Sequence, residues 1–299
     1  MIKNKRYKAL FAFICALGWS MAYPLIKVGY NTFQIMSDDL GGKTLFAGVR
    51  FLFAGIIIIC FCMFRKKKTD LKRKTDISWL VLLAIVNTTL HYMFAYIGLG
   101  NNPSGRSTIL DSMGGFFLIF LSVIFFEDDR LSTRKVIGCI MGLSGIILIN
   151  INPGGNSFEN ITFSGDGMIL LNALCAGFGG VITRVVSRKM NMISATGYSM
   201  AIGGAFLIAI GCGVGTTSRW KITGEGIIVL FALVMISAVC FAIYNELLSV
   251  HPISEIAIYN ALIPVLGVFF AALVLNEELK WQYFAAVLLV AAGICIESK

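Results

Sequence analysis

The stretch SGRSTILDSMGGFFLIFLSVIFFEDDRLSTRKVIGCIMGLSGIILIN, residues 104–150, recurs in outline as PISEIAIYNALIPVLGVFFAALVLNEELKWQYFAAVLLVAAGICIE, residues 252–297. Each copy reads as a long apolar segment, a short acidic turn ending in leucine, and a second apolar segment with a late glycine. A shift of 148 residues places Leu131 on Leu279, Asp129 on Glu277, Gly145 on Gly293 and Ile146 on Ile294. Few residues are identical, so the shared pattern carries the comparison. The shift is close to half of the 299 residues, as an internal duplication requires. The chain therefore divides into two halves, residues 1–150 and 151–299.

Composition sets the class. Hydrophobic residues make up 57% of the chain and charged residues 14%, with a mean hydropathy of +0.82. A water-soluble protein of this length cannot hide so much apolar surface. Apolar runs of about 20 residues point to helices that cross the hydrocarbon core, and the lack of long alternating strands argues against a barrel. The net charge of +9 sits in short loops beside these runs, so it reports membrane topology and gives no reason to expect nucleic acid. The cysteines (15, 60, 62, 139, 175, 212, 240 and 295) are scattered singly through apolar runs without a CxxC. They suggest packing residues, with no metal site and no cofactor. The basic start MIKNKRYK and the long run after it read as a retained first span rather than a signal peptide.

Ten spans are expected, at about 9–28, 45–64, 78–98, 105–126, 134–150, 165–187, 194–214, 225–247, 254–275 and 281–297. With the N-terminus inside, seventeen lysines and arginines fall on inner loops and ends and four on outer ones. Both termini are then cytoplasmic, in the inner membrane of a bacterium. Loop 65–76 is strongly basic and faces anionic lipid on this reading. Five spans per half is an odd number, so the second half enters the membrane upside down. The fold class expected is an all-α membrane protein built from two inverted five-helix repeats. Such halves can exchange conformations and open a central cavity to each side in turn.

Ionisable groups inside spans are costly and mark candidate sites. His91 and Asp111 flank the turn at Asn101–Pro103 by about ten and nine residues, which places both roughly 14–15 Å deep. A His–Asp pair there can bind an amino group or carry a coupling proton; the alternative is a structural hydrogen bond. Trp19, Tyr23, Asn87, Tyr92, Tyr96, Asn172, Tyr244, Tyr259 and Asn260 are candidate cavity-lining residues, and packing or interface anchoring is the other reading for each. Lys27, Arg50 and Arg106 fall toward outer span ends. They form a basic vestibule that attracts carboxylate or phosphate, or they snorkel to the interface, or they cap helices and pair with Asp38 and Asp39. Arg184 and Glu246 lie toward inner span ends, where an inner-gate salt bridge competes with snorkelling; Glu255 reads as a helix N-terminal charge. Gly114-Gly115 and Pro264 sit at nearly equivalent repeat positions and are candidate hinges. Gly138, Gly142 and Gly145 offer a close-packing face for the tenth span or for the second subunit of a homodimer.

Several motifs together resemble the EamA-like branch of the drug/metabolite transporter superfamily. They are Trp19-x4-Pro24-x2-Lys27, Arg50 in GVRFLFAG, Arg106 in SGRSTIL, Ile263-Pro264-Val265 and the turn Asn276-Glu277-Glu278-Leu279. The chain departs from the pattern at Phe116, where the fourth span usually carries proline, and at Asp111, usually apolar or small. The resemblance implies a structural role for Arg106 and a transporter of amino acids, sugars, nucleotide sugars or small organic ions. The function expected is secondary transport of a small polar metabolite such as an amino acid, by alternating access, with export favoured and a proton as coupling ion. A lipid flippase and an intramembrane scaffold are the alternatives. No HExxH, GxSxG or GxxxxGK[ST] occurs, so neither enzyme chemistry nor direct ATP driving is expected.

Overall fold

The computed structural model describes residues 5–65, 74–126, 132–150, 161–218, 220–250, 259–260 and 262–297, and their only regular structure is helical. The acidic turn of the first repeat copy, most of the basic loop, His251 and Glu255 lie outside these residues. The first two spans are α1 (Lys5–Phe33) and α2 (Leu40–Phe64). The third comprises α3 (Lys74–Leu83), a π-helical segment (Ala84–Leu90) and α4 (His91–Asn101). The fourth comprises α5 (Ser104–Asp111) and α6 (Met113–Phe125), and the fifth is α7 (Thr133–Asn150). The sixth begins with a π-helical turn (Phe163–Gly167) and continues as α8 (Met168–Ser187). Then follow α9 (Met192–Val214), α10 (Gly224–Val250), α11 (Leu262–Leu275) and α12 (Trp281–Glu297).

Seven of these stretches are long and apolar enough to cross a membrane, and three shorter apolar helices accompany them. Large apolar side chains such as Phe53, Phe61, Phe120, Phe231, Phe269 and Leu288 face outward. Ser20, Thr88, Ser107, Thr108, Asn172 and Ser237 are buried within. The apolar exterior suits a lipid surround, and the buried polar groups sit within an otherwise apolar core. The chain is an integral membrane protein of helical type.

Glycine decides the closest helix contact. Gly41, Gly48 and Gly55 recur every seventh residue on α2, and Gly211, Gly204 and Gly197 do the same on α9. The two rows meet antiparallel. A Cβ on Gly55 would stand 2.7 Å from the Gly197 carbonyl oxygen, one on Gly48 2.9 Å from that of Gly204, and one on Gly211 2.9 Å from that of Gly41. The backbones touch, with no room for side chains between them. On the opposite flank α7 packs along α12, with Gly293 against the Gly138 carbonyl and Gly145 against that of Ala286. The tenth span thus covers Gly138 and Gly145. Elsewhere α6 packs on α8 as α11 packs on α1, and the third span packs on α8 as α10 packs on α1.

Two local features differ from expectation. Helix α2 starts at Leu40, not near 45, because Asp39 caps it: the carboxylate accepts from Gly42 N at 2.7 Å. The same carboxylate accepts from Thr216 Oγ1 (2.7 Å), Ser218 N (3.0 Å) and Thr217 N (3.3 Å), which ties the loop after α9 to the start of α2. The fourth span is interrupted at Ser112, two residues before the expected Gly114-Gly115; the Ser112 hydroxyl turns back onto the Ile109 carbonyl at 2.5 Å. Pro264 lies in the first turn of α11, and the backbone before it at residue 261 lies outside the described residues, as does the expected bend of the ninth span.

Gly204→Leu should push α2 and α9 apart and destabilise the fold by about 1–3 kcal/mol. Gly213→Ala, which meets nothing within 4 Å, should be tolerated. Unfolding temperatures of the purified variants check this. A second outcome concerns Asp39. Burial raises its carboxyl pKa, but hydrogen bonds from Ser218, Gly42 and Thr216 outweigh that and hold it at about 2. Its contribution, about 2 kcal/mol, is present above pH 4 and is lost as pH falls through 2. The stability gap between the wild type and Asp39→Ala should therefore narrow between pH 5 and pH 2.

Candidate functional site

The π-helical segment Ala84–Leu90 ends where His91 begins, and its extra residue per turn re-aims the helix face that follows. Thr89 Oγ1 anchors it to the Ala84 carbonyl at 3.2 Å and to that of Gly203 on α9 at 3.3 Å. His91 is thereby turned toward α8. Its Nδ1 lies 3.1 Å from the Asn172 carbonyl oxygen. A carbonyl only accepts, so Nδ1 carries the proton and Nε2 is left with a lone pair when the ring is neutral. The side chain of the same Asn172 donates from Nδ2 to Asp111 Oδ1 at 2.5 Å. The Tyr23 hydroxyl lies beside both Asp111 and Asn172. His91 and Asp111 therefore do not bond each other directly, as a His–Asp pair would; Asn172 stands between them. Its Oδ1 is buried with no hydrogen-bond partner.

Depth follows from helix rise. His91 is ten residues from Asn101 and Asn172 nine from Phe163, or roughly 14–15 Å from that end of the bundle. Asp111, seven residues into α5, is at about 10 Å. In a hydrocarbon core of about 30 Å these groups lie in the middle third. The cluster joins the third and fourth spans, from the first half of the chain, to the sixth, from the second.

A second group surrounds Arg50, and here expectation needs correcting. Arg50 neither snorkels nor pairs with Asp38 or Asp39. It is 2% exposed, ten residues into α2 and so about 15 Å deep. Nε donates to Ser237 Oγ (2.8 Å) and the Leu233 carbonyl (3.2 Å), and Nη1 to the Tyr96 hydroxyl (2.9 Å). The guanidinium lies 4.9 Å from the centre of the Phe51 ring. Tyr92 stacks on Phe51 at 3.8 Å and meets Phe241, which meets Trp19 at 5.3 Å. The earlier start of α2 explains the depth.

The remaining candidates separate by place. Trp19 packs edge-on against Tyr244 at 4.8 Å, with its Nε1 buried and unpartnered. The Tyr244 hydroxyl accepts from Asn260 at 2.8 Å, and Tyr259 packs in the same cluster with Ala12 and Leu247. Asn87 covers Gly179 on α8, away from His91's contact. Gly114 packs on Ala173 and Ala176, whereas Gly115 faces open space. Arg184 lies over the Phe126 ring at 4.2 Å, and Glu246 is half-buried on α10.

The end that carries Asn102 is tied by acids. Arg106 pairs with Asp166 at 2.7 Å, and Asp166 also accepts from Asn102 Nδ2 and Thr162 N, each at 3.1 Å. This fits a structural role for Arg106. Lys27 meets Glu277 at 3.8 Å rather than Asp38 or Asp39. Glu277 in turn accepts from Ser104 N (2.6 Å) and Gly105 N (3.0 Å), so the turn after the ninth span caps the fourth. A cleft of ≈ 520 Å³ opens beside them, lined by Lys27, Ser37, Gly100, Asn101, Asn102, Pro103 and Glu277. Sequence reasoning passed over Asp166; an acid at the entry of a span opposite the span-entry Arg106 was the available signal. Among the described residues no group of histidine, cysteine and carboxylate side chains could hold a metal ion.

The sequence model of the EamA-like transporter family matches residues 6–151 and 163–298. The chain is 28% identical over 301 residues to the uncharacterized transporter YvbV of Bacillus subtilis, covering 99% of this chain and 92% of that protein. It is 23% identical over 296 residues to an uncharacterized transporter of Archaeoglobus fulgidus, covering 97% and 96%. A crystal structure superimposes with a TM-score of 0.70 at 17% identity, over 98% of this chain and 96% of the other, which speaks to the fold alone. The chain belongs to the EamA-like transporter family.

Proposed function

We propose that this protein is a secondary active transporter of a small polar metabolite such as an amino acid, and that it exports its substrate by alternating access with proton coupling. The observation that carries this reading is Asn172, which holds His91 through its backbone and Asp111 through its side chain at mid-depth. The two titratable groups come from one half of the chain and their common partner from the other. Relative movement of the halves must then change the surroundings of both, which is what coupling requires.

The packing supports two inverted five-span halves. If the halves are related by a two-fold axis, a contact of the second span on the seventh, or of the fifth on the tenth, maps onto itself. The contact of fourth on sixth must then be repeated as ninth on first, and that of third on sixth as eighth on first. Each of these contacts occurs. The family match in two blocks agrees with a duplicated origin. Gly114, Gly115 and Pro264 serve as hinges in this reading, and Arg184 and Glu246 belong to the inner gate. The basic residues orient both termini toward the cytoplasm of a bacterial cell.

Transport in proteoliposomes with an imposed pH gradient, using labelled amino acids, tests the reading. Asp111→Asn should cut pH-driven flux about tenfold or more, equal to at least about 1.4 kcal/mol, with the unfolding temperature little changed. Asn172→Ala, which keeps the carbonyl that holds His91, should impair flux through Asp111 alone. Full pH-driven flux in the double variant His91→Gln, Asp111→Asn would reduce the cluster to a packing contact.

A further inference from the structure

Arg50 is a mid-bundle cation whose charge no described acid matches. Among the described residues no carboxylate bonds it. Asp39 is committed to the cap of α2 and Asp111 to Asn172. Of the five N–H groups of a guanidinium, the protein engages Nε–H and one on Nη1. Nη2 makes no hydrogen bond and is not fully enclosed, although Arg50 as a whole is buried. A guanidinium is a permanent cation, and burying one without a counter-charge in a low-dielectric surround is expensive. Such a group stays in the middle of a membrane when something mobile completes it.

We infer that Arg50 is the anion receptor of the transport cavity and that the solute it receives carries a carboxylate. The inference rests on the transport reading above and narrows its substrate class. Nε is held by Ser237 and Leu233 on α10, and Nη1 by Tyr96 on α4, so the guanidinium plane is fixed before a ligand arrives. Its free N–H groups on Nη1 and Nη2 present the fork that a carboxylate accepts with both oxygens. Phe51 is fully buried beneath it, and the half-buried rings of Tyr92, Phe241 and Trp19 continue from Phe51 as a contiguous aromatic wall. The Tyr92 hydroxyl is within electrostatic range of both Arg50 and Asp111, so the wall runs from the cationic side of the centre toward the acidic one. Tyr30 braces this arrangement by donating to the Tyr96 carbonyl at 2.7 Å.

Binding is read without transport, as the unfolding temperature of the purified full chain in detergent against benzoate, acetate and, as the uncharged match, benzamide. Benzoate should raise the unfolding temperature of the wild type in a concentration-dependent way and benzamide should not. Arg50→Gln should lose the benzoate response. Arg50→Lys keeps a cation at the site and serves if the glutamine variant does not fold; without the fork its apparent benzoate affinity should fall about tenfold. A wild type indifferent to both carboxylates, a benzoate response that survives in Arg50→Gln, or unchanged affinity in Arg50→Lys overturns the proposal. Arg50-dependent benzoate binding in a protein that moves no solute would sink the transport reading and leave the receptor standing. Amino-acid flux without Arg50-dependent binding would do the reverse.

Discussion

The backbone contact between the second and seventh spans is the constraint on which the rest of the bundle depends. In lipid, apolar side chains gain little by leaving one apolar surround for another, so helices associate through close packing and hydrogen bonds. Gly41, Gly48 and Gly55 against Gly211, Gly204 and Gly197 bring two backbones into contact along the length of both helices. The seven-residue spacing keeps each glycine on the same stripe over two turns per step. With α2 held this way, Arg50 on the same helix is carried inward to meet Ser237 and Leu233 on α10. With α9 held, Gly203 anchors Thr89 and so the π-helical segment that aims His91. Both central polar groups thus trace back to one glycine seam.

Polar groups are distributed unevenly along the bundle. At the Asn102 end, Asp39, Asp166 and Glu277 each accept several hydrogen bonds from separate elements. These acids do the work of helix caps and so satisfy backbone N–H groups that would otherwise be stranded at the membrane edge. The centre is different. There Asp111 has an amide donor and no cation, Arg50 has hydroxyl and carbonyl acceptors and no anion, and two buried polar atoms have no partner. A purely structural core would place the acid and the base on each other.

Much of this was legible in the chain itself. Apolar run length announced the spans because a backbone in hydrocarbon must satisfy its own hydrogen bonds. Most described helix ends fall within a few residues of the expected ones, but α1 runs further at both ends and α2 starts earlier. Asp111 and His91 were conspicuous because ionisable groups are rare at that depth, and depth is arithmetic on helix rise, whereas Asn172 was one of many candidate lining residues. Arg106 was read as structural and pairs with Asp166. Arg50 was misplaced because the start of α2 depends on a cap formed by Asp39, and that cap is completed by Thr216 and Ser218 from a distant loop.

Sequence alone determined the class, from composition and apolar run length, the family, from the resemblance of its motifs, and the list of costly residues, from the expense of burying charge. Tertiary structure alone decided which of those residues meet. Asn172 comes between His91 and Asp111, Lys27 reaches Glu277 some 250 residues away, and Arg50 faces α10 without an acid. Helical periodicity says which residues share a face but not which helix that face will meet. In this bundle that choice is made by close backbone packing, where a missing side chain matters more than any side chain present.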